Sequence, residues 1–81
     1  MTEQKKVKVY STEMCPYCHM AKDFLREHKI KFEDIRVDED QLAAIEMMKK
    51  SGQTGVPVIE IGKEIIIGFD QARIKKALGL K

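Results

Sequence analysis

The sequence of 81 residues has little net charge and no long apolar run. Lysine and glutamate are interspersed and the formal net charge is only +2, which is too small to indicate a nucleic-acid-binding protein. No segment approaches the roughly eighteen consecutive apolar residues of a membrane-spanning helix. Linkers, internal repeats and low-complexity segments are also absent. These absences favour a single small domain, residues 1–81, that binds neither nucleic acid nor a membrane.

Cysteine is scarce as well, with only two in the chain. The first six residues, Met-Thr-Glu-Gln-Lys-Lys, lead into a strand pattern and lack the apolar core of a signal peptide. We therefore expect a cytoplasmic protein. Lasting disulfides are rare in that compartment, so a cysteine pair there is more often catalytic or metal-binding than structural.

The two cysteines stand three positions apart, as Cys15-Pro16-Tyr17-Cys18, between an alternating run and an amphipathic run. Pro16 suits the first turn of a helix, where its missing N–H costs nothing. The unpaired N–H groups and the dipole at a helix N-terminus lower the pKa of a thiol placed there. We predict a redox-active pair in which Cys15 is the exposed attacking sulfur. Cys18, one turn later and more buried, resolves the mixed disulfide.

Other uses of the two cysteines have to be weighed. A structural disulfide is one. Cys15-x-x-Cys18-His19 also matches the c-type haem attachment pattern, although a CxxC beside a βαβ pattern favours redox chemistry. Zinc needs four ligands, and His19 and His28 lie nine positions apart on one predicted helix, where they share a face poorly. An iron–sulfur cluster bridged between two subunits stays open.

Apolar alternation and turn residues predict four strands. They cover residues 6–10, 31–37, 56–61 and 64–67, with residues 11–14 as a loop. The apolar positions of the second segment do not alternate cleanly, so its register is not fixed by the pattern. Gly62-Lys63 is a two-residue turn between the last two strands, which therefore form a hairpin.

Three helices are predicted between and after these strands. The first runs from Pro16 to about His28 with an apolar face of Ala21, Phe24 and Leu25. The second follows the acidic residues 38–40, which suit a helix N-terminus, and ends at Gly52. Its predicted apolar stripe consists of Leu42, Ile45 and Met48, with Met47 as an additional candidate. The third is capped by Asp70, directs Ile74, Ala77 and Leu78 inward, and ends before Gly79.

The resulting order is β-α-β-α-β-β-α. The first βαβ unit should be parallel and right-handed, and the hairpin should complete a four-stranded mixed sheet flanked by three helices on its two faces. With a CxxC after the first strand, this is an α/β thioredoxin-like fold. Pro57 opens the third strand, and a cis bond after Val56 would present the Val56 backbone to an extended, peptide-like substrate near the cysteines.

Three motifs together resemble the glutaredoxin family over about residues 7–78. They are Cys15-Pro16-Tyr17-Cys18 followed by Ala21-Lys22, then Gly55-Val56-Pro57-Val58, then Gly68-Phe69-Asp70. The resemblance implies a dithiol–disulfide oxidoreductase with a Cys15/Cys18 redox pair and a cis peptide before Pro57. It also implies a glutathione-binding groove formed by Tyr17, Val56, Pro57, Gly68, Phe69 and Asp70. Glutathione is then a co-substrate and no cofactor is tightly bound. The partners are disulfide-containing proteins, and the chain is expected to be a monomer.

The sequence departs from the family pattern at the groove. Glutathione-using members usually carry Lys at the position of Thr12 and Thr at the position of Gly55, and they have Gly-Gly and paired Asp in the last turn. Redoxins that take electrons from thioredoxin reductase also have a weakened pocket, so the electron donor stays open between glutathione and that reductase. Lys22 fits the family spacing. It is interpreted either as a residue that favours the thiolate or as an ordinary solvated lysine.

Overall fold

The structure is a computed structural model that describes residues 5–80. The elements in chain order are β1 (Val7–Ser11), α1 (Pro16–Glu27), β2 (Glu33–Arg36), α2 (Gln41–Ser51), β3 (Val58–Ile61), β4 (Glu64–Ile67) and α3 (Gln71–Leu78). The predicted order of strands and helices is confirmed. Among the described residues, no helix is both long and apolar enough to cross a membrane.

The four strands form one mixed sheet in the order β2-β1-β3-β4. β1 pairs with β2 in parallel and with β3 antiparallel, and β3 pairs antiparallel with β4. In the β1–β3 register, Tyr10 lies opposite Val58 and Val7 lies opposite Ile61. The loop after β1 and the residues before β3 therefore meet at the same end of the sheet.

Alternation along the strands separates two cores. On one face, Val9 and Ile59 belong to a large apolar cluster that also contains residues of α1 and α3. On the other face, Tyr10 and Val58 pack with Met47 of α2. The predicted placement of helices on both faces is confirmed.

The apolar stripe predicted for α2 is wrong for Leu42, Ile45 and Met48 and correct for the additional candidate Met47. Leu42 is 79% exposed, and Ile45 and Met48 are also exposed, whereas Met47 is only 2% exposed. Small side chains on the Met47 side, such as the half-buried Ala44, are compatible with close approach of the helix to the sheet. The chain carries two stripes at helical spacing, and contact with Tyr10 and Val58 selects the one that contains Met47.

Several predicted boundaries also shift. β1 extends through Ser11, which was expected in the loop, because the Ser11 carbonyl accepts the Val37 N–H at 2.9 Å. β2 covers only 33–36 instead of 31–37. β3 begins at Val58 because Pro57, with no N–H, cannot donate to the ladder. The caps were predicted correctly: Asp70 caps α3, and Gly52 ends α2 in the left-handed region at φ 75°.

Candidate active site

The two cysteines lie where α1 begins. Cys15 is the N-cap of α1, with extended backbone angles, and its sulfur accepts the Cys18 N–H at 3.1 Å. Cys15 and Cys18 are joined by a disulfide, with their Cα atoms 5.2 Å apart. Pro16 occupies the first turn, as its fixed φ and missing N–H require. A sulfur in the N-cap position therefore lies beside the unpaired N–H groups and the positive end of the α1 dipole.

The two sulfurs differ in access. Cys15 is half-buried, whereas Cys18 is fully buried at 0% exposure. The residues around the first turn expose apolar surface, with Tyr17 63% and Met14 86% exposed. An incoming molecule therefore meets Cys15 and reaches Cys18 only through it.

The Val56–Pro57 turn lies against the cysteine pair. The Val56–Pro57 bond is cis, as the family resemblance implied. The Cys15 sulfur lies 3.9 Å from the Val56 carbonyl oxygen. The Pro57 carbonyl in turn accepts the Gly68 N–H at 2.8 Å. These contacts join three segments that are distant in sequence: the CxxC loop, the cis-proline turn and the turn before α3.

Phe69 and Asp70 follow Gly68, but their side chains make contacts away from the cysteine sulfurs. The Phe69 ring packs edge-on against Phe24 of α1, with 5.8 Å between ring centroids. The Asp70 carboxylate accepts the Arg73 N–H at 3.2 Å and so caps α3. The structure thus brings the backbone of the predicted groove together, while these two side chains support the helices beside it.

Lys22 is buried and ion-paired, so its interpretation as a solvated lysine is wrong. Its residue exposure is 6%, and its ammonium nitrogen lies 3.1 Å from an Asp34 carboxylate oxygen. The second Asp34 oxygen accepts the Ser11 hydroxyl at 2.8 Å. Burial raises the pKa of the Asp34 carboxyl, but hydrogen bonds from Ser11 and Lys22 outweigh burial, and the net pKa lies below 3.8. Sequence reasoning missed this cluster because the β2 pattern did not fix the register of Asp34.

His19 contacts the chain that leads to the cysteines. Its Nε2 donates to the Glu13 carbonyl oxygen at 2.7 Å. Within residues 5–80, no group of three or more His, Cys, Asp or Glu side chains is arranged to hold a metal ion. His28 is exposed, so it lies on the surface as predicted, and its ring packs at a tilt of 53° against Phe24, with 4.4 Å between centroids.

Comparison with known proteins tests the family resemblance. A sequence model of the family described as Glutaredoxin matches residues 7–66, a span that contains both cysteines and the cis-proline turn. The chain belongs to the glutaredoxin family. Members of this family are thiol–disulfide oxidoreductases. The chain is accordingly a redoxin with a CxxC motif, and its enzyme class is thiol–disulfide oxidoreductase.

Relatives match over nearly their full length. A glutaredoxin-like 8.6 kDa protein in the rubredoxin operon of Clostridium pasteurianum is 43% identical over 72 residues, covering 89% of this chain and 96% of the relative. Glutaredoxin 3 of Escherichia coli is 38% identical over 73 residues, covering 90% and 88%. The glutaredoxin-like protein NrdH of Lactococcus lactis is 36% identical over 70 residues, covering 86% and 96%.

Solved structures confirm the predicted fold class. The crystal structure of a glutaredoxin from Archaeoglobus fulgidus superposes with a TM-score of 0.83 at 26% identity, covering 90% of this chain and 85% of that one. The three helices and the mixed four-stranded sheet are those of the thioredoxin-like fold.

Proposed function

We propose that this glutaredoxin-family protein reduces protein disulfides and glutathione mixed disulfides, with Cys15 as the nucleophile and Cys18 as the resolving thiol. The observation that carries the proposal is the unequal access of the two sulfurs at the start of α1. Cys15 is the N-cap and is reachable, whereas Cys18 is fully buried behind it. A nucleophile has to be accessible, while a resolving thiol needs only to reach its neighbour.

The reaction begins from the reduced dithiol. The Cys15 thiolate attacks one sulfur of the substrate disulfide, and the other substrate sulfur leaves as a thiolate and takes up a proton. The Cys18 N–H, which lies 3.1 Å from the Cys15 sulfur, and the α1 N-terminus favour the negative charge on Cys15.

The second step closes the intramolecular disulfide. The Cys18 thiolate attacks the Cys15 sulfur of the mixed disulfide, forms the Cys15–Cys18 bond and expels the second substrate thiolate. The protein has then delivered two electrons and requires two from a reductant to return to the dithiol. The disulfide in the structure corresponds to this end point.

In this proposal the substrate lies in the groove beside the cis-proline turn. The Val56 backbone, whose carbonyl oxygen is 3.9 Å from the Cys15 sulfur, pairs with an extended substrate backbone. Tyr17, Pro57, Gly68, Phe69 and Asp70 form the surrounding walls. No tightly bound cofactor takes part, and the cytoplasm, where thiols are kept reduced, is the proposed compartment.

Glutathione is the proposed co-substrate, and thioredoxin reductase is a second candidate electron donor. The groove has little positive charge to bind the carboxylates of glutathione, and this keeps thioredoxin reductase as a candidate beside glutathione. Thr12 carries no charge, and Lys22, the family-spaced cation, is buried against Asp34. Neither offers a free positive charge to a glutathione carboxylate. The relative NrdH is named as a glutaredoxin-like protein, and its identity to this chain approaches that of glutaredoxin 3.

The two donors are separated by offering the oxidised protein each one alone. One assay supplies glutathione, glutathione reductase and NADPH; the other supplies thioredoxin reductase and NADPH. Turnover in the first assay supports glutathione as co-substrate. Turnover only in the second removes glutathione from the proposal and leaves the Cys15/Cys18 chemistry in place.

Single cysteine variants test the assigned roles. Cys15→Ser is expected to abolish reduction of every disulfide substrate, because the reachable nucleophile is lost. Cys18→Ser is expected to abolish reduction of protein disulfides while sparing release of glutathione from mixed disulfides, since a second glutathione can resolve Cys15. Full activity in Cys15→Ser would show that the nucleophile is assigned wrongly.

A further inference from the structure

A shallow groove of about 930 Å³ lies between α3 and the turn that joins β3 to β4. The antiparallel register places Val58 of β3 at the cysteine end of the sheet and Ile61 at the other end. Because the groove is lined by Ile61 and the residues that follow it, it opens at the end of the sheet away from Cys15. It is therefore separate from the proposed substrate groove.

Positive charge is concentrated at this groove. Lys63 from the turn and Arg73 and Lys76 from α3 line it, and all three are exposed. Within residues 5–80, Lys22, Arg26, Arg36 and Lys50 form ion pairs, and none of these four cations lines the groove. The whole chain has a net charge of only +2, so the groove is a local basic surface on a nearly neutral protein.

One wall of the groove is fixed by the chain itself. Lys5 also lines it, and its ammonium group donates to the Ala77 carbonyl at 3.0 Å. This bond ties the start of the described chain to the last turn of α3. The cations of the groove thus come from three segments: Lys5 before β1, Lys63 in the hairpin turn, and Arg73 and Lys76 in α3.

The residues that line the groove favour a ligand whose carboxylates are spaced along a chain over a compact phosphate group. Compact phosphate groups are commonly held by helix N-terminal N–H groups, but the cations of this groove are spread along α3 from Arg73 to Lys76 and onto the β3–β4 turn at Lys63. The Glu64 carboxylate also lines it, which further disfavours a phosphate cluster. The half-buried Ile65 adds apolar surface to the lining, and a peptide can contact this surface with an apolar side chain of its own.

We propose that this basic groove binds an extended acidic segment of a partner protein, with Lys63, Arg73 and Lys76 as the contacts that recognise carboxylates. A partner held there leaves Cys15 and Val56 accessible. The groove therefore serves as a second attachment point that tethers a protein without occupying the redox site. This attachment point is independent of which reductant serves Cys15 and Cys18.

The test uses the full chain and a synthetic peptide of alternating glutamate and leucine. Titration of the isotope-labelled protein, followed by amide chemical shifts, should move the signals of Gly62, Lys63 and Ile65 and leave that of Cys18 in place. The same peptide with glutamine in place of glutamate should bind weakly. Arg73→Gln/Lys76→Gln should weaken binding roughly tenfold, because two exposed ion pairs are removed.

A matched control removes the same charge elsewhere. Lys29 and Lys49 are exposed and lie outside the groove, so Lys29→Gln/Lys49→Gln should keep the affinity of the original protein. Equal weakening by both double variants would show that only net charge matters and would overturn the proposal. So would failure of the acidic peptide to bind, equal binding of the glutamine peptide, or tighter binding of tripolyphosphate with the same shifted amides.

Discussion

The ammonium nitrogen of Lys22 lies 3.1 Å from a carboxylate oxygen of Asp34, and this pair joins α1 to β2. The same carboxylate accepts the buried Ser11 hydroxyl from the end of β1. One carboxylate thus connects the helix that carries both cysteines with the two strands beside it. Removing either charged partner leaves the other incompletely paired, which is the costly case for a buried group.

Lys22→Met should lower the free energy of unfolding by about 1–2 kcal/mol. The side chain keeps its apolar stem, but Asp34 loses one of its two side-chain hydrogen bonds. The loss is small because the Asp34 side chain is 37% exposed and its charge is therefore partly screened by solvent. Denaturant unfolding measures the effect. Lys49→Met on the exposed surface of α2 is the control and should stay within about 0.5 kcal/mol; an equal loss there would contradict the role of the pair.

Asp34→Asn should remove the contribution to the free energy of unfolding that the original protein loses as the pH falls into the acid range. The pKa of Asp34 is lowered below 3.8 in the folded protein despite burial, because Ser11 and Lys22 stabilise the carboxylate. A depressed pKa contributes stability above the unfolded value and loses it as the pH falls through the folded one. The stability gap between the original protein and Asp34→Asn should be full above pH 3.8 and shrink below it. A gap independent of acid pH would contradict this.

Tyr10 should ionise only at strongly alkaline pH. Burial, followed by the hydrogen bond that its hydroxyl donates to Glu46 at 2.6 Å, raises the pKa of Tyr10 from 10.0 to about 12. The raised pKa contributes stability that is full below pH 10 and is lost as the pH rises towards 12. Tyr17→Phe leaves Tyr10 as the sole tyrosine, so tyrosinate absorbance then reports it alone. A midpoint near 10 would refute the buried hydrogen bond.

Met47→Ala and Leu42→Ala should differ strongly although both lie on α2. Met47 is buried against Tyr10 and Val58, so truncation should cost about 2–5 kcal/mol. Leu42 is 79% exposed, so its truncation should change stability by about 0.5 kcal/mol or less. Thermal or denaturant unfolding decides between the two stripes. Similar losses for both variants would restore the stripe predicted from the sequence.

Thr12→Lys combined with Gly55→Thr should raise turnover with glutathione. The first change adds a cation for a carboxylate, and the second adds a hydroxyl beside Val56. A Cβ at Gly55 would meet only the Gln53 side chain, at 3.7 Å, so the site accepts it. Turnover in the glutathione reductase assay should rise several-fold, consistent with about 1 kcal/mol per added charged contact. Met48→Lys adds the same charge on exposed α2 and should have no effect. An equal rise there would assign the gain to net charge.

Local rules determined much of the architecture. Pro16, Asp70 and Gly52 set helix ends because their effects depend on one or two backbone positions, and the structure confirms all three. The hairpin around Gly62-Lys63 follows from the same kind of rule. The catalytic assignment of Cys15 and Cys18 remains a prediction from the motif, to which the structure adds the difference in burial.

Neighbouring residues specify the element order, the caps and the position of the cysteine pair at a helix start, so these features follow from the sequence alone. Long-range packing specifies which side of α2 is buried and makes Lys22 an ion-paired rather than a solvated residue. Both outcomes depend on partners far along the chain: Tyr10 and Val58 for Met47, and Asp34 for Lys22. The spacing of residues along a helix does not specify which strand residues the helix will contact. Those contacts decide which helix side chains are buried and which charged groups are paired.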